Sequence, residues 1–126
     1  MIKVLLAGLG GFIGSVLRYV ISTFFYKLLG TDFPYGTLVV NVLGSFLIGF
    51  FMGLVENGFV ISSNWRAFIA IGLLGGFTTF SGFSYETVEL IKQGTLLPAI
   101  ANIVYTVLNC LAGTYVGGVI AKLITK

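Results

Sequence analysis

The chain has 126 residues, of which 57% are hydrophobic and only 9% are charged, and its mean hydropathy is +1.07. Soluble domains carry about 25% charged residues, so this composition excludes an ordinary soluble domain and indicates a membrane protein. The seven basic and four acidic residues give a net charge of +3, too thinly spread to predict a nucleic-acid-binding surface.

At this length we expect one domain, residues 1–126, with room for about four spans of roughly 20 residues. The hydrophobic segments cover residues 4–29, 36–55, 65–91 and 96–124, separated by short stretches with turn chemistry. The sequence therefore predicts an all-α protein with four transmembrane helices, surrounded by lipid in the cell membrane. Ser63 or Asn64 is expected to cap the third helix.

Glycines at a spacing of four residues recur in three of the segments. They form the pairs Gly10 and Gly14, Gly49 and Gly53, and Gly113 and Gly117. Such spacing lets two helix backbones approach closely in a bilayer, so it predicts tight helix packing.

The first segment contains Arg18, well inside its hydrophobic stretch. An arginine at depth is costly and usually marks function. Arg18 either snorkels toward a helix end or supplies a fixed positive charge at the mouth of an anion path. In the second segment, Asn41 is an amide within an apolar helix. It either bonds across helices or donates its NH₂ group to a passing anion.

The third segment is interrupted by Gly-Gly-Phe-Thr-Thr-Phe-Ser-Gly-Phe at residues 75–83. Paired glycines weaken a helix, and hydroxyl side chains compete for its backbone hydrogen bonds. The sequence therefore predicts a helix broken in mid-membrane. Such a break is tolerated only beside protein or a water-filled path, and the backbone dipoles it frees bind ions.

Phe80 and Phe83 are three residues apart and point the same way if the backbone is helical there. They either pack as ordinary aromatics or offer the positive edges of their rings to an anion. Glu86 is the carboxyl group most deeply placed in the segments. It serves either a coupled transporter or a polar track beside a pore. The fourth segment adds polar side chains, several of which share one face: Asn102, Thr106, Asn109, Cys110 and Thr114.

The basic residues give only weak evidence on the orientation of the chain in the membrane. Four basic residues fall on the side of the termini (Lys3, Arg66, Lys122 and Lys126) and two on the other (Lys27 and Lys92). This small bias is compatible with dual insertion and an antiparallel dimer, and equally with termini facing the cytoplasm.

Histidine is absent and no nucleophile is paired with a base, so an enzyme is not expected.

Three stretches in this order, residues 10–14 with Arg18, 33–41 and 72–83, resemble the CrcB/Fluc family of fluoride channels, and the resemblance covers essentially the whole chain. It implies an antiparallel, dual-topology homodimer with two narrow pores that passively export fluoride from the cytoplasm. Gly82 departs from the family pattern, which usually has threonine at that position. Asn102 and Cys110 stand where hydroxyl or other polar residues are common.

The resemblance also implies roles for individual residues. Asn41, Phe80 and Phe83 would line the fluoride path, Arg18 would lie at the vestibule, and the remaining polar-track residues would be Ser81, Glu86, Asn102, Cys110 and Thr114. A structural Na⁺ at the dimer centre would be held by the backbone carbonyls of Gly75 and Thr78.

One alternative is a non-transporting membrane assembly protein, in which the glycines pack helices and the polar residues join them. The other is a small multidrug-type, proton-coupled antiporter, since it too is a four-helix, dual-topology dimer. It needs a membrane carboxylate, expected in the first helix, and that segment has none.

Overall fold

The structure, a computed structural model that describes residues 1–126, is entirely helical. Its elements are α1 (Ile2–Leu29), α2 (Tyr35–Glu56), α3 (Ser63–Arg66), the π-helix π1 (Ala67–Leu74), α4 (Gly75–Phe77), α5 (Phe80–Lys92) and α6 (Leu96–Ile124). They form four segments long and apolar enough to cross a membrane, because α3 through α5 together make the third. The prediction of an all-α, multi-pass membrane protein is confirmed.

The third segment starts with a capped turn. The side-chain oxygen of Ser62 accepts a hydrogen bond from the Trp65 N–H at 3.3 Å, so Ser62 is the N-cap. The prediction of Ser63 or Asn64 as the cap is therefore wrong by one or two residues. Ser62 has the extended backbone that aims a side chain at the first free N–H groups, whereas Ser63 and Asn64 are already helical.

Helical structure is continuous from residue 63 to residue 77, a stretch that we call the N-terminal half-helix. Thr78 and Thr79 then have extended backbone, with ψ of 159° and 113°, before α5 begins at Phe80. Gly75 and Gly76 remain helical. The interruption thus lies at the two threonines, within the stretch 75–83 that the sequence singled out for its glycines and hydroxyl residues.

Backbone contacts through glycine hold most of the bundle together. The N-terminal half-helix packs on α1, and α2 packs along α6. A Cβ atom on Gly14 would collide with the carbonyl of Leu73, and one on Gly49 with the carbonyl of Thr114. Gly76 likewise faces the backbone of Gly11. The prediction that spaced glycines mark close helix packing is confirmed at these contacts.

The outward surface is apolar along every long helix. Only 23 of the 126 residues are buried in the single chain, and the exposed ones include large hydrophobic side chains from each segment. Lipid solvates such a surface as well as protein does, so the exposed leucines, isoleucines and phenylalanines carry no penalty in a membrane.

Candidate functional site

The interruption of the third segment is held in place by one buried amide. The Nδ2 of Asn41 donates to the Thr79 carbonyl at 3.0 Å, and its Oδ1 accepts from the Thr79 N–H at 2.7 Å. Asn41 is buried, so these bonds replace the water that the extended backbone would otherwise need. One of the two Nδ2 hydrogens remains available for another acceptor.

Two backbone carbonyl oxygens at the interruption lack the N–H donors they would have in an unbroken helix. In an unbroken α-helix the Thr79 N–H would serve the carbonyl of Gly75, but it donates to Asn41. The Gly82 N–H would serve the carbonyl of Thr78, but it donates at 2.9 Å to the Thr79 Oγ1, which caps α5. These two carbonyls belong to the residues predicted to bind Na⁺.

Beside the interruption lies a pocket of about 330 Å³ between α2, α5 and α6. It brings together three residues predicted for the pore, Asn41, Phe80 and Phe83. The two phenyl rings are 5.4 Å apart between centroids and inclined by 52°. Phe83 is buried, whereas the Phe80 ring is 78% exposed in the single chain. The remaining lining residues are Ser45, Thr78, Thr79, Thr106, Val107, Cys110 and Leu111.

Other predicted site residues lie outside this lining. Thr114 donates across to the Ser45 carbonyl at 3.0 Å, so it joins α6 to α2. The Ser81 hydroxyl lies 3.2 Å from the Thr79 hydroxyl at the start of α5. Arg18 is partly exposed on α1 and has no carboxylate partner, since the chain's ion pair is between Lys92 and Glu89.

Asn102 is the centre of a buried chain of hydrogen bonds between α5 and α6. Its Nδ2 donates to the Thr87 hydroxyl at 2.8 Å, which in turn donates to the Phe83 carbonyl at 2.7 Å. The Thr106 hydroxyl donates to the Asn102 Oδ1 at 3.2 Å. Asn102 is 1% exposed, so in this structure it supports Phe83 through Thr87 and does not itself reach the pocket.

Glu86, also on α5, is bound by residues of α1 and α2. The Tyr26 hydroxyl donates to one carboxyl oxygen and the Thr37 hydroxyl to the other. This places Glu86 between α1 and α2 and not among the residues that line the pocket with Phe83.

Sequence reasoning missed Thr79 as a site residue. Its signal was readable, because threonine is one of the residues favoured at the N-cap of a helix. The partnership of Tyr26 and Thr37 with Glu86 left no such signal, since those residues are far apart in the sequence.

Comparison with known proteins adds an independent finding. Residues 5–118 match the profile of the family described as CrcB-like protein, Camphor Resistance (CrcB). A protein of Clostridium perfringens (strain ATCC 13124) is 43% identical over 124 residues, covering 98% of this chain and 97% of its own length. One from Citrifermentans bemidjiense is 46% identical, covering 89% and 90%, and one from Shewanella pealeana is 49% identical, covering 93% and 94%. All three carry the name fluoride-specific ion channel FluC.

Proposed function

The chain belongs to the CrcB family, and from that premise we propose that it is a passive fluoride channel of the cell membrane. The observation that carries the proposal is the pocket in which Asn41, Phe80 and Phe83 meet at the start of α5. Relatives named as fluoride channels that cover almost the whole chain support the choice of ion.

The chemistry of the pocket suits a small anion. Phe80 is the first residue of α5, and the N-terminal end of a helix carries partial positive charge. Asn41 retains one amide hydrogen after bonding Thr79, and phenyl ring edges are weakly positive. Fluoride must shed part of its water shell but also leave again, so several weak donors serve it better than one lysine.

The N-terminal half-helix ends in groups of the opposite polarity. The carbonyls of Gly75 and Thr78 have lost their helical donors to Asn41 and to the Thr79 side chain. Carbonyl oxygens suit a hard cation, so these residues fit the predicted structural Na⁺. Bound there, the ion would neutralise the partial negative charge at the end of this half-helix.

A second copy of the chain completes the proposed site. Gly75 lies on an exposed face of the N-terminal half-helix together with Ile71, one turn earlier, which is 68% exposed. An antiparallel partner on this face would cover both and bring two more carbonyls to the Na⁺. The weak charge bias between the two sides of the membrane is compatible with the dual insertion that such a dimer requires.

Phe80→Ile tests the proposal. The substitution keeps an apolar side chain but removes the ring edge, so we expect fluoride efflux from proteoliposomes to fall at least about tenfold while folding is retained. Phe12→Ile is the matched control, because Phe12 is exposed on α1 and lines none of the pockets described. A Phe80→Ile channel with unchanged efflux would refute the assigned path.

The ion and the coupling are tested on the unaltered protein. We expect fluoride efflux without any proton gradient and a far smaller efflux of chloride. Efflux that requires a proton gradient would favour the antiporter instead. Replacing Na⁺ on both sides by N-methylglucamine is expected to lower fluoride efflux, and an unchanged rate would remove the structural Na⁺ from the proposal.

A further inference from the structure

We propose that a groove between α1, α2 and α6 binds one acyl chain of an anionic membrane phospholipid, whose headgroup lies beside Lys27. The groove is separate from the proposed fluoride path, so the expected binding is the same whichever ion the protein conducts.

The lining of the groove is almost entirely apolar. Its volume is about 1050 Å³, and 11 of its 13 lining residues are hydrophobic, with Phe24 from α1, Phe46 from α2 and Val116 from α6 among them. Asn109 is the one polar side chain in the lining, and its amide already donates to the Tyr105 carbonyl at 2.7 Å. Such a lining offers no charge and few hydrogen bonds to a hydrated ligand, so it selects an apolar occupant.

The groove results from the way the long helices pack in pairs. α1 packs mainly on the N-terminal half-helix and α2 mainly along α6, whereas α1 and α2 touch each other less. The carbonyl of Leu73 lies against Gly14 and that of Thr114 against Gly49, so neither pair can shift to close the gap between them. An empty groove would deprive its lining atoms of contacts, so in a membrane it is filled.

The second copy of the chain that completes the proposed fluoride site belongs on another face. The fluoride pocket is lined by residues of α5, such as the exposed Phe80, whereas the groove is lined by residues of α1, and the two share no residue. On α2, Asn41 and Ser45 line the pocket, while Val42 and Phe46 line the groove. A copy placed over Phe80 therefore leaves the groove to the surrounding lipid.

The position of the groove along the helices fits a lipid of one leaflet. It begins at Leu38, three residues after α2 starts at Tyr35, and reaches Phe46, eight residues further on. Eight helical residues span about 12 Å. Half of the hydrocarbon core of a bilayer is about 15 Å thick, so an acyl chain that enters at the interface follows the groove toward mid-membrane.

A cation and a phenol lie at the interface end of the groove. Lys27 is in the last turn of α1, three residues after Phe24, and has no carboxylate partner. Tyr35 starts α2, and Asp32 in the loop between them borders a different pocket, on the side of α5. An acyl chain gains little by leaving bulk lipid for the groove, so the contact between Lys27 and an anionic headgroup gives the binding its preference.

Native mass spectrometry of the purified protein in detergent, titrated with phosphatidylglycerol, tests the proposal. We expect saturation at one lipid per chain, at about fivefold lower concentration than phosphatidylcholine with the same acyl chains, the factor that one lysine provides. Lys27→Gln should abolish this preference, and Lys3→Gln, at the other end of α1, should retain it. Binding that never saturates, or equal binding of the two lipids by the unaltered protein, would overturn the proposal.

Val116→Phe distinguishes the groove from the rest of the apolar surface. The larger side chain fills part of the groove, so the bound lipid should be lost. Val16→Phe is the matched control and should keep the lipid, because Val16 is 48% exposed against 47% for Val116 and does not line the groove. The same spectra report the oligomeric state. Equal lipid binding by the two variants, or dimers that become monomers in Val116→Phe because a second copy covers the groove, would each contradict the proposal.

Fluorescence quenching locates the acyl chain independently. Trp65 is the only tryptophan of the chain, so Trp65→Phe gives a silent background. In that background, Phe24→Trp places the fluorophore in the groove, and Phe12→Trp places it on the exposed surface of α1 outside the groove. With one equivalent of brominated phosphatidylglycerol per chain, Phe24→Trp should lose most of its fluorescence and Phe12→Trp little. Equal quenching of the two would show that the lipid has no preferred place and would overturn the proposal.

Discussion

The two halves of the third segment are attached to the protein by different kinds of contact. The N-terminal half-helix lies against α1 backbone to backbone, and both helices contribute glycines to the contact: Gly10, Gly11 and Gly14 from α1, and Gly72 and Gly76 from the half-helix. The other half, α5, is attached by side-chain hydrogen bonds from Asn41, Asn102, Tyr26 and Thr37.

This difference separates a rigid scaffold from the part of the molecule that we propose conducts fluoride. Backbone contacts through glycine leave no room for a side chain to rotate, so they fix the half-helix whose carbonyls we assign to Na⁺. Hydrogen bonds between side chains can be exchanged for bonds to an ion. They lie along α5, where the proposed fluoride path runs.

Gly14→Ala should have the largest effect on stability, because it places a side-chain atom directly in the glycine contact between α1 and the N-terminal half-helix. The new Cβ would collide with the backbone at Leu73 and Phe77, which cannot rotate away. Overpacking typically costs about 1–3 kcal/mol, and a collision with backbone atoms belongs at the upper end, so we expect the folded protein to be lost or its unfolding temperature in detergent to drop sharply.

Gly8→Ala is the matched control on the same helix, since a Cβ atom there meets nothing within 4 Å. It should leave the unfolding temperature unchanged or raise it slightly, because alanine is the better helix former. Equal destabilisation by both substitutions would contradict the idea that backbone proximity, and not helix propensity, sets the cost.

Asn41→Leu should have the second-largest effect, because it removes both hydrogen bonds to the Thr79 peptide. The substitution leaves a part-buried N–H and C=O without partners, at a cost of about 2 kcal/mol, and removes a donor from the proposed path. We expect fluoride efflux to be lost together with part of the thermal stability.

Asn109→Leu is the matched control, because Asn109 is exposed and bonds only the carbonyl of Tyr105 in its own helix, at 2.7 Å. Stability and efflux should both survive it. If Asn41→Leu retained full stability, the interruption at Thr78 and Thr79 would not depend on the amide.

The parts of the fold that follow from local rules could be predicted from the sequence. The four segments follow from hydropathy, because lipid leaves no other solution for the backbone, and the close contacts follow from glycine spacing. The interruption was expected within residues 75–83, and it lies at Thr78 and Thr79, while Gly75 and Gly76 are helical. Propensity alone could not show that Gly76 is needed for contact with α1, nor that Asn41 stabilises the extended threonines.

The candidate site, like the fold, could be predicted from the sequence only in part. Asn41, Phe80 and Phe83 could be named in advance because they carry unusual chemistry for a membrane helix, and the structure brings them to one pocket. Whether Asn102 or Glu86 faces that pocket depends on side-chain partners from other helices. Both have such partners, and no periodicity in a single helix could have shown it.

Asn102→Leu should have a smaller effect on stability than Asn41→Leu, because it removes side-chain bonds and leaves every backbone bond in place. Hydrogen bonds between membrane helices average about 0.6 kcal/mol, and this substitution removes one of them, to Thr87, together with a bond to Thr106 within α6. We therefore expect a loss of about 1 kcal/mol, measured by unfolding in detergent, with reduced efflux because Thr87 and Phe83 are less firmly held. A stability loss as large as that of Gly14→Ala would mean that the side-chain hydrogen bonds of α5 matter as much for stability as the glycine contacts of the N-terminal half-helix.

Thr79→Ala should have the smallest effect and tests the boundary between the two halves. It removes the hydroxyl that caps α5 at the Gly82 N–H, a contribution of about 1 kcal/mol, but leaves the backbone bonds to Asn41. Thr79→Ser keeps the cap and should unfold at the same temperature as the unaltered protein. Because the bonds to Asn41 keep the backbone of Thr78 and Thr79 extended, fluoride efflux should be retained in Thr79→Ala, with only a small drop in the unfolding temperature. A loss of efflux as large as that of Asn41→Leu would mean that the cap, and not the amide, holds the boundary between the two halves.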